Sequence, residues 1–141
     1  MRNSPNPGLG LAILRVVIGV IFVAHGWTKL FGGMEGTIGF FGSLGIPAPT
    51  LAAWFVALLE TGGGALLIVG LMVTPIALLL AVQMVVAIVL VHIPNGFFVI
   101  GPGTGGYSFS LLVAAGLVAL VLAGPGNWTL ANRMQKDVLE A

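Results

Sequence analysis

The sequence predicts an all-α integral membrane protein, a four-helix bundle of up-down-up-down topology, and three observations lead there. Of 141 residues, 58% are hydrophobic and only 6% charged, against roughly 25% charged in ordinary soluble domains. So little polar surface cannot coat a water-soluble globule, and the mean hydropathy of +1.14 agrees. Four apolar runs are each long enough to cross a hydrocarbon core of about 30 Å. Short connections make them antiparallel neighbours, so the chain reads as a single membrane domain over residues 1–141.

Met1 to Gly8, with Pro5, Pro7 and Gly8, reads as a short non-helical lead-in. The first helix is expected over about 9–31, stopped by Gly32 and Gly33. Its apolar run is too long for a signal peptide and no small-x-small cleavage pattern follows it, so it reads as an uncleaved transmembrane helix. The connection 34–50 carries Ile38, Phe40, Phe41, Leu44 and Ile46, apolar enough for a surface helix or a partly re-entrant segment. Pro47 and Pro49 end it, and Thr50 is the expected N-cap of a second helix over about 51–71.

On that second helix Ala53, Ala57, Glu60, Gly63 and Gly64 share a face by helical counting. Small residues at this spacing admit a close neighbour, so Glu60 sits on a packing face. A tight turn at 72–75 leads to a third helix over about 76–93, carrying Gln83 and, at its far end, His92. The connection 94–106 is rich in Gly and Pro yet holds four large apolar residues, so it is expected to fold back on the bundle. The fourth helix is expected over about 107–123, with Ala115, Ala119 and Ala123 as a small-residue ladder, and a polar tail covers 127–141.

Composition excludes several chemistries. A formal net charge of +1 and the lack of any basic tract argue against a nucleic-acid partner. With no cysteine there is no disulfide, thiol catalysis, iron–sulfur cluster or cysteine-ligated zinc. Arg2, Arg133 and Lys136 near the two termini place both termini in the cytoplasm by the positive-inside rule.

The ionisable groups inside the apolar runs carry whatever chemistry there is, because charge in a spanning helix must face other protein. Arg15, Gly19, Phe22, Gly26 and Lys29 fall on one stripe of the first helix, with His25 on its flank. Arg15 and Glu60 are expected to pair as a structural ion pair fixing the register of the first two helices; a proton or anion relay is the functional alternative. His25, Lys29 and His92 are expected to converge with Tyr107 at the end of the bundle away from the termini. They are the candidate catalytic residues, able to hydrogen-bond a quinone carbonyl and pass protons. Trp27, Phe97 and Tyr107 are the candidate cofactor-binding residues that would cover its ring. Snorkelling Lys and interfacial aromatics are the plain structural alternative. A bis-His haem through His25 and His92 has no other cue behind it, and a zinc site would need a third ligand that only Glu35 could supply, so no metal is expected.

These residues resemble the DoxX family of small four-helix membrane proteins, which includes DoxD-type subunits, over about 11–127. The matching stretches are Leu14-Arg15, Gly19, Phe22 and His25-Gly26-x-x-Lys29-Leu30-Phe31, then Glu60-x-Gly62-Gly63 and Gly70-Leu71-x-x-Thr74. Val91-His92-x-x-x-Gly96-Phe97-Phe98 and Gly124-Pro125-Gly126 follow. The resemblance implies a link to redox membrane complexes, with some members looking like small subunits of thiosulfate:quinone oxidoreductases and others tied to oxidative-stress complexes at the bacterial envelope. One departure stands out: where many members carry Glu after Gly-Gly-Tyr, this chain has Ser108, so no mechanism can rest on an acid there.

The expected function is therefore a membrane subunit of a redox system linked to the quinone pool, sited in the inner membrane of the cell. Its partners would be the lipid bilayer and a homo-oligomer or hetero-complex with a redox protein that supplies or takes electrons. A non-enzymatic scaffold or assembly factor is the alternative, and a small-anion transporter a third, disfavoured by the lack of broken-helix pairs.

Overall fold

Asn6 and Pro7 start the first helix earlier than its apolar run suggests. In the computed structural model, which describes residues 5–100 and 105–140 (the Glu140 side chain excepted), α1 spans Pro7–Thr28. Pro7 occupies the first turn, where its missing N–H costs nothing. The Asn6 side chain accepts a hydrogen bond from Leu9 N at 3.0 Å and caps the helix. Arg2 and residues 101–104 of the long connection lie outside the described residues.

The glycine pair stops the first helix as its sequence requires. Phe31 (φ −110°, ψ 58°) and Gly32 (φ 126°) leave helical geometry, a backbone that Gly32 adopts because it has no Cβ. The chain resumes as α2, Met34–Ser43, with no residue fully buried.

α3 spans Pro49–Val69. Thr50 is not its N-cap: Pro49 takes the first helical position and Ala48 precedes it at φ 48° with no side-chain cap. The pre-set φ of proline outweighs the hydroxyl cap. Gly70 ends α3 in the left-handed region at φ 77°, and the N–H groups of Gly70 and Leu71 both return to Leu66 O, the closing pattern of a glycine C-cap. α4 follows at once over Val73–Asn95. It starts three residues before the expected 76 because Pro75 falls in the first turn, where helices tolerate it.

Beyond the long connection, α5 spans Ser108–Ala123. Its 16 residues cover about 24 Å, short of a full hydrocarbon core. α1, α3 and α4 are long and apolar enough to cross a membrane by themselves, and α5 completes the bundle against α4. The polar tail is itself a helix, α6, Leu130–Glu140, capped by Thr129 Oγ1 accepting from Asn132 N at 3.1 Å.

Two helix pairs make the bundle, α1 with α3 and α4 with α5. Glycine brings the first pair together: a Cβ on Gly19 would lie 2.7 Å from Gly64 O, and one on Gly26 would lie 2.9 Å from Ala57 O. The α1 stripe of Arg15, Gly19, Phe22 and Gly26 is buried as the periodicity requires, and so is the α3 face of Ala53, Ala57, Glu60, Gly63 and Gly64. Between the pairs lies a hydrophobic core that includes Ile18, Phe22, Leu67, Leu80, Leu117 and Leu120. α5 packs through Ser110, Val113, Ala114, Leu117 and Leu120. Its expected alanine ladder does not pack, since Ala115 and Ala123 are exposed; large side chains interdigitating with α4 bury more apolar area than a close alanine contact.

Candidate functional site

Side chains on a helix lean toward its N-terminus, and that lean decides which charges meet. At the C-cap of α1 it carries Lys29 down from the kinked end toward the middle of the bundle. On antiparallel α3 it carries Glu60 the opposite way, so the two meet: Lys29 Nζ lies 2.5 Å from Glu60 Oε2. The Lys29 side chain is 22% exposed and that of Glu60 7%. From α4, Gln83 Nε2 donates to Glu60 Oε1 at 2.6 Å. Both carboxylate oxygens are thereby used, one on each neighbouring helix.

The same lean carries Arg15 away from Glu60, and the expected Arg15–Glu60 pair does not form. Arg15 Nη2 donates instead to the carbonyls of Trp128 at 3.1 Å and Asn127 at 3.4 Å. The residue is 1% exposed, beside Gly70 and buried Thr129. A side chain at Gly70 would collide with its guanidinium. Arg15 thus ties the entry of α6 to the bundle end where the chain termini lie.

A cavity of about 480 Å³ opens beside the Lys29–Glu60–Gln83 cluster. That volume is within the ordinary range for sites holding small organic molecules. α1, α3, α4 and α5 wall it, with Phe22, Val56, Met84 and Phe109 among the apolar lining. Phe40 and Phe41 of α2, with Leu44 and Ile46 after it, complete the wall. The apolar connection expected to be a surface helix therefore closes the side of a cavity.

His25, Lys29 and His92 all line this cavity. His25 Nδ1 lies 2.8 Å from Ile21 O one turn back, and His92 Nδ1 lies 2.5 Å from Gly105 O. A carbonyl only accepts, so in each ring Nδ1 carries the proton and Nε2 is left for another partner. The bond to Gly105, together with Tyr107 N to Gly96 O and Ser108 N to Phe97 O, folds the long connection back on the bundle end.

The three expected ring-covering residues are not on the cavity wall. Trp27 is half exposed and stacks on Phe31, with centroids 4.1 Å apart. Phe97 and Tyr107 pack edge-to-face at 5.2 Å and close the end of the bundle. Interfacial aromatics occupy such positions generally. The aromatic side chains on the wall are instead Phe22, Phe40, Phe41 and Phe109.

Glu60, expected in an ion pair with Arg15, and Gln83, not among the expected site residues, both belong to the site. Ser110 is a third: it is 4% exposed, lines the cavity, and its hydroxyl has no partner among the described residues. Backbone geometry marks Glu60 and His92, though not Gln83 or Ser110. Wide i→i+5 turns interrupt α3 at Leu59–Gly63 and α4 at Ile88–His92, and such turns recur at functional sites. Among the described residues no three His, Cys, Asp or Glu side chains come close enough to hold a metal ion.

Residues 10–93 match the DoxX family model. "Putative oxidoreductase CatD" of Bacillus subtilis is 37% identical over 116 residues, covering 82% of this chain and 80% of its own. An uncharacterised membrane protein of Mycobacterium tuberculosis is 32% identical over 131 residues, covering 87% of this chain and 80% of its own. "Inner membrane protein YphA" of Escherichia coli is 28% identical, covering 87% of this chain and 89% of its own. No solved structure gives a significant match.

Proposed function

The chain belongs to the DoxX family, and on that premise we propose that it is the membrane subunit of a redox system that binds a quinone in the cavity behind α2. The observation that carries this reading is the cavity itself: about 480 Å³, mostly apolar, with Lys29, His25, His92 and Ser110 facing it. Apolar walls with a few convergent polar groups suit an amphiphilic ring with hydrogen-bonding oxygens. The relative named as an oxidoreductase supports the redox part. No flavin or metal motif is present in the sequence, so electrons would come from a partner protein, in a homo-oligomer or hetero-complex, or from the substrate.

By this reading the protein sits in the inner membrane, as two Escherichia coli relatives are named. Arg133 and Lys136 on α6 favour a cytoplasmic position for both termini. The cavity then lies toward the outer half of the bilayer.

The experiment is an optical and mass-spectrometric inventory of what co-purifies with the protein in mild detergent. A quinone present with the wild type and lost in His25→Ala or Lys29→Met is the expected result. A Soret band would replace quinone by haem, and neither compound, with partner proteins present, would favour a scaffold. Arg15 is what supports the scaffold alternative, since it binds only backbone of the chain's own tail. Arg15 does not line the cavity, so Lys29 and Arg15 do not form one cationic path of the kind a small-anion transporter would use.

A further inference from the structure

The hydrogen-bonding groups left free in the cavity are unequal in kind, and this decides which oxidation state of the ligand fits. Lys29 has three N–H donors. One goes to Glu60 Oε2 and a second toward His25 O at 3.5 Å, leaving a single donor. Gln83 Nε2 gives one of its two hydrogens to Glu60 Oε1, and Gln83 Oε1 is buried without a partner among the described residues, a further bare acceptor. The two histidines have Nδ1–H committed to the Ile21 and Gly105 carbonyls, so each neutral ring offers a bare Nε2 acceptor. Ser110, 4% exposed and in no side-chain hydrogen bond among the described residues, can act either way.

We propose that the cavity recognises the reduced, dihydroxy form of its ligand, an aromatic diol such as a quinol, through O–H donation to Nε2 of His25 and of His92. The inference rests on the quinone reading above and goes beyond it by assigning the preferred form. A quinone would face the Nε2 lone pairs of both rings and Gln83 Oε1 with carbonyl oxygens that cannot donate, and keep only the hydrogens of Lys29, Ser110 and the second Gln83 N–H. A quinol satisfies both rings and still accepts from Lys29. Sites built to meet an O–H reject analogues that lack it, because their own acceptors are left unpaired.

The test uses the full chain in lipid nanodiscs without oxygen, titrated with decylubiquinol, decylubiquinone and the dimethyl ether of decylubiquinol. Binding of the quinol about tenfold tighter than the other two is expected, one hydrogen-bond free energy being near a factor of ten. That preference raises the two-electron potential of the bound couple by about 30 mV. His92→Phe should weaken quinol binding by about tenfold and leave the quinone within a factor of two. Ser110→Ala should weaken both forms alike. The wild-type comparison stands even where a variant fails to fold. Equal binding of quinol and quinone, or an ether as tight as the quinol, overturns the preference and leaves the quinone site intact. Failure of all three probes to bind overturns both.

Discussion

Glu60 is held from two sides, by Lys29 from α1 and by Gln83 from α4, so removing either partner strands charge or amide inside the bundle. Lys29→Met leaves a mostly buried carboxylate without its cation and should destabilise the protein by about 3 kcal/mol, the cost of breaking a buried pair. Adding Glu60→Gln removes the stranded charge, and the double-mutant cycle for the two positions should give a coupling of at least about 1 kcal/mol. Denaturant unfolding in detergent measures it. The Arg15–Glu60 cycle should be additive to within about 0.5 kcal/mol, since those residues share no partner. Arg15 makes its own prediction. Arg15→Ala leaves the Asn127 and Trp128 carbonyls without their donor and should raise amide exchange across 127–140 while the bundle core keeps its protection. Arg15→Lys should not restore it, because an ammonium is a point donor where the guanidinium is a fork.

At the level of the helix the glycines divide into those that set a contact and those that do not. A methyl group at Gly19 would meet the Gly64 carbonyl at 2.7 Å, backbone that cannot step aside, whereas Gly10 has nothing within 4 Å. Gly19→Ala should therefore cost about 1–3 kcal/mol by overpacking the α1–α3 seam. Gly10→Ala should be neutral or stabilising by up to about 1 kcal/mol through helix propensity. Thermal unfolding of the two variants side by side checks both signs. This seam was legible in the sequence, because step-of-three-and-four counting needs only a helix and a neighbour. The Lys29–Glu60 pair was not, because counting along the axis ignores the lean of long side chains, which moved Lys29 inward and Arg15 outward. The part played by α2 was hidden too: apolar residues in a connection signal burial, but not that what they face is a cavity. Tyr107, Phe97 and Trp27 looked like a ring-binding set for a related reason, since aromatic residues at a bundle end read the same whether they close it or line a site.

For the molecule as a whole, the direction in which the bundle faces decides which compartment the cavity serves. The charge that speaks to it within the described residues is Arg133 and Lys136 on α6, and Asp137 on the same helix counts little in the positive-inside rule. The chain has no cysteine, so a single introduced thiol reports its own position without further engineering. Ser43→Cys, at the exposed end of α2, and Asn132→Cys, on α6, lie at opposite ends of the bundle. In intact cells a membrane-impermeant maleimide should label Ser43→Cys and leave Asn132→Cys untouched until the membrane is opened. That outcome puts Lys29, His25 and the α2 wall in the outer half of the bilayer, where an electron donor outside the cytoplasm could reach the ligand. The reverse pattern would turn the cavity toward the cytoplasm and require a cytoplasmic donor, while leaving the fold and the internal ion pair as they are.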